Sequence, residues 1–230
     1  MMRLTVARAT LAASLALAFA LPASAESVTA AAGLQGWVSS NGASNEAQPM
    51  GNTYTGNEFG SRFNSWAAFF IPAGTTWNSA TLSLAPSAYG DAPPSVIGIF
   101  DFTAGLDPLL NTFHPGTDVY SDLGSGAQYG SVTAYDSPLT FNLNGAALGD
   151  INASAGSYFV IGFTNQTLNA LPSPEDGGSG IYMGGIGPGG APIELTLSTV
   201  AAVPEPATYG MMLAGLALVG ATARRRRSQA

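Results

Sequence analysis

Six of the seven basic residues stand at the two ends of the chain, each group beside an apolar run, and this divides the chain before any fold is considered. Arg3 and Arg8 precede the first run, Arg224 to Arg227 follow the second, and Arg62 alone lies between them. Residues 26–203 carry thirteen acids against that one base, a formal −12, although the whole chain of 230 residues sums to −7. Basic residues flanking apolar segments direct a chain to and through a membrane. The globular core must therefore come from the acidic middle, whose roughly 178 residues suffice for one domain.

The N-terminal end has three parts. Arg3 and Arg8 form a charged leader, and Leu11–Leu21 is an apolar stretch too short to span a bilayer. Pro22 breaks it, and Ala23-Ser24-Ala25 supplies the small residues that signal peptidase needs. This pattern predicts a signal helix over residues 1–25, with Ala23 and Ala25 at the cleavage site and Glu26 first in the mature chain.

At the other end, Val203-Pro204-Glu205-Pro206 is stiff and extended, because two prolines forbid helix there. Seventeen residues without a formal charge follow, Ala207–Ala223. At ~1.5 Å per residue they give roughly 25 Å of helix, the short end of a single transmembrane segment. Arg224, Arg225, Arg226 and Arg227 then anchor that helix on the cytoplasmic side. The body would lie across the inner membrane, the topology the signal peptide requires.

A Pro-Glu-Pro motif, one apolar helix and a terminal arginine cluster, in this order, resemble the PEP-CTERM sorting signal. Ala207 and Tyr209 stand where the commonest form of the signal has Ser and Trp. The resemblance implies recognition by an exosortase, a membrane transpeptidase-like enzyme of Gram-negative bacteria that processes the tail near the motif. It also implies an association with exopolysaccharide and biofilm, and a mature form on the outer surface or in the extracellular matrix after transient membrane anchoring.

Between the ends, short alternating runs are separated by Gly, Pro, Asn and Ser clusters, which predicts strands. Ala80, Leu82 and Leu84 alternate with Thr81 and Ser83, and Ile193, Leu195 and Leu197 with Glu194 and Thr196. Phe141 and Leu143 follow the same rule. Continuous runs at 66–71, 96–102 and 158–163 suit strands covered on both faces. Weaker candidates at 34–39, 51–55, 129–133 and 181–183 bring the total to about ten. Asn144 is placed to cap one short helix over Gly145–Ala153, and Leu106–Leu110 can add one further turn. The expectation is an all-β domain at 26–202, an antiparallel sandwich of jelly-roll type with one short helix. The sorting tail would occupy 203–230.

The segments Phe69-Phe70-Ile71 with Ser79–Leu82, Asp122–Gly126 with Tyr129-Gly130-Ser131, and Ala146–Ala153 with Tyr158–Gly162 resemble a β-sandwich class common among PEP-CTERM proteins. That resemblance implies a fold and no catalytic residue.

The chemistry available to this body is narrow. Without cysteine there is no disulfide, thiolate metal site or cysteine nucleophile, and the acidic balance excludes a nucleic-acid partner. His114, the one imidazole, sits in a turn, and no G-x-S-x-G elbow accompanies it. Glu175-Asp176 lies among prolines and glycines that predict a mobile loop, a poor platform for paired acids, which leaves Glu46 and Glu58 as other carboxylates for a glycoside hydrolase. Asp101, Asp107, Asp118 and Asp122 are the densest acidic group and the weak calcium candidates; no other cofactor is expected. Gly184–Gly190 lacks the lysine of a phosphate loop. Of the tryptophans, Trp66 reads as core, whereas Trp77, together with Tyr89, flanks turns and offers stacking surface for sugars. Arg62 is expected to pair with a carboxylate. The expected function is a non-enzymatic exported protein, handled by signal peptidase and exosortase, with exopolysaccharide as its prospective partner. The alternative is a carbohydrate-binding module.

Overall fold

The computed structural model describes residues 25–45, 47, 51–110, 113–184, 191–199 and 215–216. Residues 27–199 form one compact unit. Twelve strands are described in it: β1 (Ser27–Ala31), β2 (Leu34–Ser39), β3 (Tyr54–Glu58), β4 (Ser61–Phe70), β5 (Ser79–Leu84), β6 (Ser87–Tyr89), β7 (Ser95–Asp101), β8 (Gln128–Ala134), β9 (Leu139–Asn142), β10 (Tyr158–Asn165), β11 (Gly178–Tyr182) and β12 (Glu194–Ser198). Four short helices accompany them: α1 (Asp107–Leu110), α2 (Thr117–Asp122), α3 (Gly145–Ala153) and α4 (Gln166–Asn169).

The protein is mostly β, and every strand pairing is antiparallel. One sheet has the order β1-β12-β5-β9. The other runs β6-β11-β3-β4-β10-β7-β8, with β2 also paired to β4. The alternation read from the sequence places one face of each strand inward. Ala80, Leu82 and Leu84 of β5 and Leu195 and Leu197 of β12 are buried, and they share one hydrophobic core with Ala67, Phe69, Ile97, Ile99, Phe159, Ile161 and Phe163 of the larger sheet.

The continuous apolar runs have a second cover. Val160, Trp66 and Ala68 point away from the shared core and pack with Val38, Leu109, Val119 and Leu123, so α1 and α2 lie over the outer face of β4 and β10. Gly162 permits this approach, because a methyl group there would collide with the carbonyl of Leu123.

The expected helix forms as read. Asn144 caps α3, its side-chain oxygen accepting from the Ala146 and Ala147 amides at 3.1 and 3.2 Å. The turn read at Leu106–Leu110 forms as α1, and the expectation of one short helix is corrected by α2 and α4. At four to six residues they are too short to show helical periodicity. The strand expected at 51–55 begins only at Tyr54, and β1 and β6 were not anticipated. Arg62 lies inside β4. Among the described residues no helix is long and apolar enough to cross a membrane. The signal helix and the transmembrane helix expected at 207–223 fall outside the described residues, apart from residues 215–216.

Candidate functional site

Three strands at one edge of the larger sheet bring distant aromatic residues together. β11 pairs with β3 so that Tyr182 faces Tyr54 and Gly180 faces Gly56, and β6 pairs with β11 so that Tyr89 faces Gly180. Ile181 belongs to the shared core. By strand alternation, Tyr182, Gly180, Gly178, Tyr54, Gly56, Glu58 and Tyr89 therefore share the face of these three strands opposite Ile181. The Tyr54 ring lies 5.4 Å from Tyr182 and 5.8 Å from Tyr89, and Tyr89 lies 5.9 Å from Tyr182. Phe63 contacts Tyr54 at 5.3 Å, and Trp37 in turn contacts Phe63 at 5.1 Å. Edge-to-face and tilted contacts of this kind suit the ring quadrupole.

Glu58 ties the cluster to a charge. The Tyr89 hydroxyl donates to its Oε1 at 3.2 Å. That hydrogen bond raises the Tyr89 pKa above the ordinary tyrosine value. Burial raises Tyr54, with the Glu58 charge adding to it, and burial raises Tyr182. Tyr54 is the buried foundation at 3% exposure, and its hydroxyl donates to the Asn57 carbonyl. Tyr89 is 40% exposed and Tyr182 half-buried.

Beside Glu58, Phe59 forms the tip of the β3–β4 hairpin at 66% exposure. Its φ of 47° makes it the one non-glycine residue with positive φ among the described residues. A bulky side chain in that region costs about 1–2 kcal/mol. The loop 171–177 holds the hairpin tip: the Phe59 amide donates to Gly177 and the Gly60 amide to Pro174. Glu175 and Asp176 are exposed on this loop, which is hydrogen-bonded to the hairpin on both sides of the pair.

The remaining sequence candidates are dispersed. His114 is exposed, and Glu46 lies outside the described residues. The four calcium candidates are not gathered: among the described residues no group of three or more His, Cys, Asp or Glu forms a metal site. Asp122 accepts from the Thr103 and Ala104 amides at 2.9 and 3.0 Å, and Asp101 from the Ala127 amide at 2.8 Å. These acids close their own loops. Asp107 and Asp118 stand in the first turns of α1 and α2.

Two expectations are corrected. Trp77 is buried at 1%, because Asn152 of α3 grips its backbone from both sides, accepting from its amide at 2.8 Å and donating to its carbonyl at 3.0 Å. Among the described residues Arg62 has a carbonyl partner instead of a carboxylate: its guanidinium donates to Leu171 at 3.1 Å, and its Nε is buried without a partner there.

Of the sorting residues, Ala25 is exposed two positions before β1. Ala23, Val203, Pro204, Glu205, Pro206 and Arg224 to Arg227 lie outside the described residues. The family model of the PEP-CTERM protein-sorting motif matches residues 202–227. The chain carries a PEP-CTERM sorting tail. The match runs through the Pro-Glu-Pro motif to the last arginine of the cluster and stops three residues short of Ala230. Such a tail implies an exported protein that is sorted at the membrane and processed by an exosortase. No curated protein matches the chain.

Proposed function

We propose that the protein is a non-enzymatic surface or matrix component of a Gram-negative cell, built as a jelly-roll-like β-sandwich and delivered by the exosortase route. In this reading signal peptidase cuts after Ala25, the tail anchors the chain briefly in the inner membrane, and exosortase releases the body near Val203–Pro206 for association with exopolysaccharide in the biofilm. The sorting-motif match at 202–227 is the observation that carries it. The body's chemistry supports it: Asp101 and Asp122 are committed to local hydrogen bonds, and the one histidine is exposed in a turn.

Deleting Val203–Arg227 tests the reading directly. The shortened protein is expected to be lost from the cell surface, and mass spectrometry of the wild-type mature protein to find Glu26 first and a C-terminus near the motif. A shortened protein that still reaches the surface overturns the sorting route. The tyrosine cluster on Glu58 favours a second, compatible reading in which the body binds carbohydrate.

A further inference from the structure

We propose that the tyrosine-bearing face of β6, β11 and β3 binds an uncharged glycan, with Tyr89 and Tyr182 as stacking rings, Phe59 of the adjoining hairpin turn as a further exposed ring, and Glu58 as the acceptor for sugar hydroxyls. This gives the carbohydrate-binding reading a site and a ligand class. Four observations converge on it.

First, the rings are displayed on a rigid base. Tyr54 is buried and contacts both Tyr89 and Tyr182, while Tyr89 and Tyr182 keep part of their surface open. Second, the glycines let the cluster sit directly on the strands. A methyl at Gly180 would collide with the Tyr54 ring and one at Gly178 with the Glu58 side chain, so both groups are seated against the backbone. Third, Glu58 is oriented but not used up: one oxygen takes the Tyr89 hydroxyl, and a carboxylate has about four acceptor sites in all. Fourth, Phe59 keeps a large apolar ring in solvent on a strained backbone. Asparagine or glycine would suit that turn position. Strain held at an exposed ring points to a use for the ring.

A pyranose matches this surface. Its C–H face packs on aromatic rings, and its hydroxyls donate to a carboxylate. The charge of the body selects among glycans. Thirteen acids against one base in residues 26–203 set up a field that repels a polyanion. An acidic polysaccharide is therefore disfavoured, and the Glu58 carboxylate beside Tyr89 adds to that.

The test is native affinity electrophoresis of the full-length protein in detergent, with gels containing dextran, hydroxyethyl cellulose, galactomannan or arabinoxylan. Alginate serves as the acidic arm and chitosan oligosaccharide as the cationic arm. Retardation by at least one neutral polymer is expected. Tyr89→Ala should weaken it about tenfold, the worth of one stacked ring. Phe59→Asn should weaken it while raising the melting temperature by a few degrees, a combination that a purely structural role for the ring does not give. Glu58→Gln should weaken it as well.

No retardation by any neutral polymer overturns the proposal. So does retention by alginate or chitosan alone, or neutral-polymer binding that Tyr89→Ala and Phe59→Asn leave unchanged. A protein that sorts correctly but binds none of the polymers removes the glycan site and leaves the sorting route standing.

Discussion

Gly180→Ala asks whether the tyrosine cluster is held as tightly as its geometry indicates. In a strand, alanine is ordinarily better than glycine by about 0.5–1 kcal/mol, because it restricts the unfolded chain. At position 180 the added methyl meets the Tyr54 ring: Cε2 is in direct collision, and Cζ and the hydroxyl oxygen lie at 2.5 and 2.7 Å. The ring has little room to yield, since Phe63, Tyr89 and Tyr182 contact it at 5.3, 5.8 and 5.4 Å between centroids. Forcing extra volume into such a site costs about 1–3 kcal/mol. The overlap outweighs the propensity gain, and a net loss of about 1–2 kcal/mol lowers the melting temperature by about 2–8 °C for a body of this size. Thermal unfolding of the full-length protein in detergent, followed by circular dichroism, reads this directly, and the near-ultraviolet tyrosine signal should change with it. Gly149→Ala is the control. A methyl there meets nothing within 4 Å, in the middle of α3, so helix propensity alone should raise stability by about 0.5–1 kcal/mol. A Gly180→Ala protein as stable as the wild type would refute the account of Tyr54 as a fixed foundation.

Three further perturbations test other parts of the body. Asn144→Ala removes the α3 cap and should cost about 1 kcal/mol, read as a fall in melting temperature. Asn152→Ala leaves the amide and carbonyl of buried Trp77 without their partners and should cost about 2 kcal/mol, with a red shift in tryptophan emission as the ring gains water. Asp101 has its carboxyl raised above the usual aspartate value, first by burial and then by the charges of Asp122 and Asp150. A raised folded pKa means that the native state holds this proton more tightly than the unfolded chain, so the contribution is greatest at low pH and is lost as pH rises through the folded value. Asp101→Asn keeps an acceptor for the Ala127 amide and should flatten the stability profile across the mildly acidic range. An unchanged profile would contradict the assigned shift.

What could be read in the chain was periodic or local. β5, β10 and β12 announce themselves through alternating or continuous apolar residues, and α3 through its cap. β1 has no such pattern: Ser27–Ala31 is a weak strand sequence that becomes a strand because β12 supplies its hydrogen bonds. β6 is three residues long and depends in the same way on β11. The buried position of Trp77 depends on Asn152, 75 residues away, which no window around a turn contains. Arg62 was assigned a carboxylate from the charge of the body, yet the Leu171 carbonyl, 109 residues on, satisfies part of its guanidinium.

The tyrosine cluster was out of reach for the same reason, since Tyr54, Tyr89 and Tyr182 meet only through strand register. The sequence did hold a trace of it. Tyr54-x-Gly56-x-Glu58 and Gly178-x-Gly180-x-Tyr182 place small and functional residues on one strand face at period two, but only pairing β3 with β11 turns those two faces into one.

The strand order also ties this architecture to its export. β12 is the last strand of the body, and it lies between β1, the first, and β5. Ser27 and Ser198 are register partners although 171 positions separate them. The four-stranded sheet is therefore incomplete until residue 198 has emerged. Until then Ala80, Leu82 and Leu84 lack the buried Leu195 and Leu197 that complete their core. Closure at such separation is entropically costly and is repaid only when β12 buries those leucines. The sorting motif begins at residue 202, within a few residues of that strand. The stretch that makes the fold whole is thus the last to arrive before the tail that sorts it, so a body that reaches the sorting step has all of its strands available to pair.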